Sequence, residues 1–241
     1  AGRPGMGKST FAQKISDVNA KDGISVLNFS MEMPAEEVIA RSVSAKGNVS
    51  RDFMQDPNNK KYTEEWNKLA AASSIVKDWP LFIDDSSSLR VSDIKNKTRS
   101  FLRKSESYQK DGRAVLIIDY LGLMKLDSDN RVQGLGEVTK ELKRLAMELK
   151  IPVILLHQLN RGVDSREDKR PKLSDLRDSG EIEEDADAVL FLYRDEVYNE
   201  DSSDSGIAEV IARKNRTGQP GIARVAATLK FSRFDNLSSG Y

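Results

Sequence analysis

Three tetrapeptides, Val115-Leu116-Ile117-Ile118, Val153-Ile154-Leu155-Leu156 and Val189-Leu190-Phe191-Leu192, are apolar at every position. Side chains on a strand alternate between its two faces, so a strand with no polar position has to be covered on both. That requirement points to a parallel sheet with helices on each side. Strand-length apolar runs recur at 24–29, 81–83, 114–118, 153–156 and 188–193. Helical patterns lie between them, at about 8–20, 35–46, 62–77 and 91–104. Val132, Leu135, Val138, Leu142, Leu145 and Leu149 step by three and four and form one apolar helical stripe. Strand–helix alternation of this kind predicts an α/β fold, a mostly parallel sheet flanked by helices. Two later runs, 207–213 and 222–231, flank Thr217-Gly218-Gln219-Pro220-Gly221 and predict a C-terminal β-hairpin. The polar stretches 48–61 and 162–172 read as mobile loops.

Composition removes several kinds of chemistry. The 241 residues include no cysteine and one histidine, His157. A disulfide framework, a thiolate nucleophile and a Cys- or multi-His-ligated metal are therefore out. No apolar run approaches the roughly 20 residues that cross a bilayer, and no charged-then-apolar leader opens the chain. The expectation is a cytoplasmic protein with no membrane partner. A Ser–His–Asp hydrolase is poorly supported, because no G-x-S-x-G elbow is present.

The chemistry concentrates at Gly2-Arg3-Pro4-Gly5-Met6-Gly7-Lys8-Ser9, followed by Thr10, which satisfies G-x-x-x-x-G-K-[ST]. Glycines let backbone N–H groups converge on phosphate oxygens, and the helix that follows presents its positive end. Lys8 is placed for the β- and γ-phosphates and Ser9 for Mg²⁺. A chance glycine-rich turn is the bland alternative. Asp119 ends the run 114–118 at the rim where α/β sheets bind ligands, as a partner for the Ser9-bound Mg²⁺ or as a simple strand cap. Glu32, in Ser30-Met31-Glu32-Met33, follows the run 24–29 to the same rim. It is either the group that activates water or an exposed loop glutamate. Gln158 follows 153–157 and could contact the γ-phosphate; His157 points the other way and reads as packed beside the core. A phosphate loop of this kind follows a strand, and only Ala1 precedes Gly2. The expectation is one domain, 1–241, cut from a longer protein.

At these residues the chain resembles the hexameric replicative DNA helicases of the DnaB type, within the RecA-like P-loop ATPases. The resemblance runs through 1–9, Phe29-Ser30-Met31-Glu32-Met33, Ile117-Ile118-Asp119-Tyr120-Leu121, His157-Gln158-Leu159-Asn160-Arg161 and Asp168-Lys169-Arg170-Pro171. It is sharpest over 174–187 and closes with Lys214-Asn215-Arg216-Thr217-Gly218. It implies that ATP and Mg²⁺ are bound by the phosphate loop with Asp119, that Glu32 is the catalytic base and that Gln158 senses the γ-phosphate. It also implies that Lys214 and Arg216 reach a neighbouring subunit's γ-phosphate, and that Arg41 lies near the nucleotide base. Arg177, Asp178 and Gly180 match the loop that holds single-stranded DNA; Asp178 stands where a glutamate is common. Without the resemblance, Lys214 and Arg216 read as a solvated basic hairpin edge.

The implied function is 5′→3′ translocation on single-stranded DNA and duplex unwinding by a homo-hexamer with shared sites, with primase and a loader as partners of the complete protein. The alternatives are a filament-forming recombinase and an ATP-gated assembly module. The 38 basic and 38 acidic residues cancel, which argues against a lone DNA-binding module. A ring of six modest sites needs no basic outer surface and predicts a shallow salt dependence. The charges are also sorted: every charged residue from 210 to 234 is basic, and every one from 178 to 187 is acidic.

Overall fold

The computed structural model describes residues 1–56, 63–128 and 130–237, with 177–181 described by their backbone alone. Four parallel strands, β1 (Ser25–Ser30), β2 (Leu81–Asp84), β3 (Ala114–Asp119) and β4 (Val153–Leu155), form a sheet in the order β2-β1-β3-β4. The fully apolar runs divide their side chains between two helical layers, as expected. Leu27, Phe29, Leu116 and Ile118 pack with Ile94 and Leu102 of α5 (Val91–Leu102) and with Leu135, Val138, Leu142 and Leu145 of α7 (Arg131–Leu149). Val26, Val115 and Ile117 turn the other way, onto Ala12 and Ala20 of α1 (Lys8–Lys21). α2 (Ala35–Gly47) and α4 (Thr63–Lys77) close around Val43, Leu69, Ala72 and Val76. Truncating a buried residue such as Phe29 or Leu116 would cost about 2–5 kcal/mol.

Parallel strands bring all their C-terminal ends to one edge. The register sets Ser30 against Asp119, and the Met31 N–H donates to the Asp119 carbonyl at 2.8 Å. Segments leaving β1 and β3 therefore start flush with one another.

The run 188–193 departs from the expectation. As β5 (Ala188–Tyr193) it pairs antiparallel with β6 (Ile207–Asn215), in a second sheet ordered β5-β6-β7-β8. Ala188 and Leu190 are exposed while Val189 and Phe191 are buried. Continuity of apolar residues did not distinguish this strand from those covered on both faces. The expected run 222–231 is also shorter than it reads: β7 (Gly221–Thr228) ends in a 3-10 turn, Leu229–Phe231, and β8 (Arg233–Asn236) follows. Two short helices, α3 (Arg51–Gln55) and α6 (Glu106–Asp111), were not expected; each is capped by a serine side chain, from Ser50 and Ser105.

The stretch 162–172 is braced instead of loose. Arg166 makes a two-pronged contact with Asp175, at 2.8 and 2.9 Å, and Arg170 another with Glu209, at 2.8 and 2.7 Å. The 3-10 turn Arg161–Ser165 buries Val163 against Leu159, Leu176 and Phe191. Ala1 and Gly2 lie between the two sheets. The Leu192 N–H donates to the Ala1 carbonyl at 3.0 Å, Gly2 N–H to the His157 carbonyl at 3.3 Å, and Leu159 N–H to the Gly2 carbonyl at 3.3 Å. Among the described residues no helix is long and apolar enough to cross a membrane.

α1 and α2 are joined by a small polar cluster. Ser42 Oγ and Gln13 Nε2 donate to Asp17 at 2.7 and 2.9 Å. Burial pushes the Asp17 carboxyl up to about 6, against 3.8 ordinarily. The folded chain thus holds this proton more tightly than the unfolded one. The stability Asp17 contributes is present below pH 4 and is lost as pH rises through 6, by up to about 3 kcal/mol. Asp17→Asn keeps an acceptor for both donors and removes the charge. It should raise the melting temperature by several degrees at pH 8 and by much less at pH 5. Equal melting curves at pH 8, or a larger gain at pH 5, would contradict this account.

Candidate active site

The phosphate-loop sequence folds around two glycines with positive φ, Gly5 at 80° and Gly7 at 87°. Gly7 is held to glycine twice over, because a Cβ there would lie 2.9 Å from Phe234 of β8. Gly7 is also the N-cap of α1, and it offers no side chain to the first turn. No acidic residue lies in that turn. α2 and α4, by contrast, carry Glu36, Glu37, Glu64 and Glu65 in theirs. The first-turn N–H groups of α1 and its positive end are therefore left for an anion from outside the helix. Lys8 lies at the opening of this helix, and its Nζ donates to the Arg3 carbonyl at 3.1 Å. Burial pushes its ammonium below the ordinary lysine range, opposed by the nearby charges of Asp119 and Glu32.

The sheet rim brings the carboxylates to the loop. Asp119 is buried, and that burial raises its carboxyl above the ordinary value, opposed by a hydrogen bond from Ser9 and by the charge of Lys8. Glu32 is exposed on the turn beyond β1, and its charge acts on both Asp119 and Lys8. Ser30 Oγ fixes that turn by donating to the Met33 carbonyl at 2.7 Å. Gln158 pairs in parallel fashion with Gly2, so it lies beside the start of the phosphate loop, with its side chain exposed. Arg41 on α2 donates to Glu37 at 3.1 Å, and its charge is felt at Asp119. Five expected positions, Lys8, Ser9, Glu32, Asp119 and Arg41, thus act on one another electrostatically. The hydroxyl of Ser9 beside the carboxylate of Asp119 is a hard-oxygen donor pair suited to Mg²⁺. Among the described residues no three His, Cys, Asp or Glu gather as a metal cage.

Other expected residues are placed differently. The Arg3 guanidinium is turned onto Asp164 and the Leu159 carbonyl, and Thr10 is buried in α1. Lys214 and Arg216 lie against their own chain. Lys214 Nζ donates to the Glu183 and Glu184 carbonyls at the end of α8 (Gly180–Asp185). Arg216 donates to the Glu184 carbonyl at 2.7 Å and to the Asp187 carboxylate at 3.1 Å. Lys214 is half-buried and Arg216 exposed, so these contacts lie at the solvated end of the hairpin. Arg177, Asp178 and Gly180 lie on the backbone run formed by Leu173–Ser179 and α8, and their side chains fall outside the described residues.

Arg194 was not anticipated. Its Nη1 donates to the Gly5 carbonyl at 2.8 Å, its backbone N–H to the Met6 sulfur at 3.3 Å, and its Nε to Glu196 at 3.0 Å. The available signal was a charged residue directly after an apolar strand, the same signal that marked Asp119.

The sequence profile described as DnaB-like helicase C terminal domain matches residues 1–236. The replicative DNA helicase DnaB of Haemophilus influenzae is 43% identical over 242 residues, which covers 99% of this chain and 50% of that protein. That of Geobacillus stearothermophilus is 41% identical over 241 residues, covering 98% and 51%. The chain therefore spans about half the length of the curated relatives it matches. Among solved structures, a DnaB-like replicative helicase, solved to show its interactions with primase, superposes with a TM-score of 0.94 at 36% identity, covering 99% of this chain and 58% of that one. A separately solved ATPase domain superposes at 0.93 and 36% identity, covering 99% and 83%. With the profile spanning nearly its whole length, the chain belongs to the DnaB-like helicase C-terminal domain family.

Proposed function

We propose that this domain is the ATP-hydrolysing motor of a replicative DNA helicase, working as a hexameric ring on single-stranded DNA and moving 5′→3′. The observation that carries the reading is the uncapped, acid-free first turn of α1, with Lys8 within it and the Ser9–Asp119 pair and Glu32 at the adjoining rim. The names of the relatives support the same reading.

The polyphosphate of ATP would lie over the first turn of α1, its charge met by N–H groups and by Lys8. Lys8 then leaves the Arg3 carbonyl for phosphate oxygens, to which it is the stronger donor. Ser9 and Asp119 would hold Mg²⁺, which when bound neutralises charge building on the phosphates. Glu32, exposed at the rim, takes a proton from the attacking water as the water oxygen bonds to the γ-phosphorus and the β,γ-bridging oxygen leaves with its electron pair. Gln158 contacts the γ-phosphate from beside Gly2, and Arg41 lies toward the base. Lys214 and Arg216 reach the γ-phosphate of a neighbouring subunit, which would make turnover depend on assembly. Arg177, Asp178 and the Gly180 backbone hold the DNA strand in the channel. Primase and a loader are partners of the complete protein.

In the complete protein, Glu32→Gln should lower ATP turnover by at least about 10²-fold and leave nucleotide affinity within about threefold. Turnover and equilibrium binding of a fluorescent nucleotide check the two halves; wild-type turnover removes Glu32 from this role. Arg216→Ala and Lys8→Ala proteins should each be inactive alone. Mixed, they should recover partial ATPase, because an Arg216→Ala subunit keeps an intact loop and its Lys8→Ala neighbour supplies the cation. Absence of recovery at every mixing ratio counts against a site shared between subunits.

A further inference from the structure

Arg3 occupies a variable position of the phosphate-loop motif, and its side chain is committed elsewhere. Its Nε and Nη2 donate to the two Asp164 oxygens at 3.1 and 2.6 Å, and its Nη1 to the Leu159 carbonyl at 2.9 Å. Tyr198 Oη donates to the same carboxylate at 2.8 Å. The Arg3 side chain is 13% exposed and that of Asp164 39%, so the guanidinium is shielded while the carboxylate stays open to solvent on one side. A planar guanidinium held on two oxygens has its orientation fixed as well as its distance.

The backbone of the same residue holds Lys8. The Arg3 carbonyl accepts from Lys8 Nζ at 3.1 Å and from the Met6 N–H at 3.4 Å. An unbroken series of contacts thus runs from Asp164, through the Arg3 side chain and carbonyl, to the lysine of the loop. Asp164 lies on the turn Arg161–Ser165, in a segment that begins beside Gln158. That segment is stiffened by Arg166 on Asp175 and on the Arg170 carbonyl, and by the Lys172 N–H on Asp175 at 2.7 Å. It leads directly into Leu173–Ser179, the run that carries Arg177.

We propose that Asp164, oriented by Tyr198, is a positioning residue that sets the phosphate loop through Arg3 and links nucleotide affinity to the segment that leads to Arg177. This rests on the ATPase reading above and deepens it. Asp164 touches neither phosphate nor water; it acts through Arg3. With the clamp intact, the backbone from Arg3 to Met6 is held in one arrangement, with the first turn of α1 open beside it. With the clamp lost, the loop has more conformations to give up when nucleotide binds, while the groups that act on bound ATP are unchanged. The effect should fall on KM before kcat. A pull on the braced segment by bound DNA would reach the loop by the same route.

The test uses the complete helicase, with steady-state ATPase measured with and without a thymidine oligonucleotide. Asp164→Ala should raise the KM for ATP about tenfold and leave DNA-free kcat within about twofold. The stimulation by the oligonucleotide should fall to half or less. Asp164→Glu, which keeps two acceptor oxygens, should recover most of the affinity, and Tyr198→Phe should raise KM about twofold. Unchanged KM and unchanged stimulation in Asp164→Ala overturn the proposal. So does a joint fall of kcat and melting temperature that Asp164→Glu does not rescue, which would mark a purely structural pair. If Asp164→Ala does not assemble, Tyr198→Phe decides, and a wild-type KM there overturns it. Lys8→Ala separates the two levels. If it keeps wild-type ATPase the functional reading fails; if it is inactive while Asp164→Ala behaves as wild type, only the positioning role fails.

Discussion

The first turn of α1 carries backbone N–H groups to which its N-cap, Gly7, offers no side chain, and the packing around Gly7 preserves that arrangement. Gly7 contributes no side chain and packs against Phe234, so no larger residue could supply a cap there. The flanking arginines hold carbonyls of the loop's outer side, Arg194 on Gly5, or tie the loop to a neighbouring turn, Arg3 on Asp164. An open helix end is completed by water or by a ligand, and its dipole favours a negatively charged one. Such an end, with half-buried Lys8 within it and buried Asp119 beside it, favours an anion.

The second constraint is direction. Because β1, β3 and β4 run parallel, Glu32, Asp119 and Gln158 leave the sheet on one edge, though the chain separates them by long helical excursions. The second sheet contributes from the side: β5 pairs with Ala1, Arg194 grips Gly5 and β8 closes over Gly7. The loop is consequently fixed to both sheets between Ala1 and Gly7. A movement of one sheet against the other would therefore act on the loop directly.

The parallel core was legible from continuity of apolar residues at 24–29, 114–118 and 153–156, and α7 from its stripe, because burial on two faces or one leaves a direct mark on composition. Ala188–Tyr193 carries the same mark for another reason: an antiparallel strand beside the core can be rich in apolar residues while exposing two of them. α3 and α6 were missed because five- and six-residue helices are too short to show a period, and their signal lies in the serine caps. At the site, Lys8, Ser9, Asp119 and Glu32 could be picked out because a motif or a strand end marks them. What the Arg3 side chain does was not legible for the complementary reason. The motif leaves its position open, so only its long-range partner, Asp164, reveals what the side chain does.

The sorted charges have a consequence for how this domain can change. The basic run from 210 to 234 and the acidic run from 178 to 187 are not independent surfaces, since Lys214 and Arg216 end on α8 and Asp187. Lys143 from α7 meets Asp187 as well. The hairpin is therefore no detachable appendage. Shortening it, or grafting it from a relative, would leave the carbonyl end of a six-residue helix without its cations, and the acidic run would lose the groups that balance it. Hairpin and helix form one exchangeable unit, and a chimera that respects that unit should behave better than one that cuts between them.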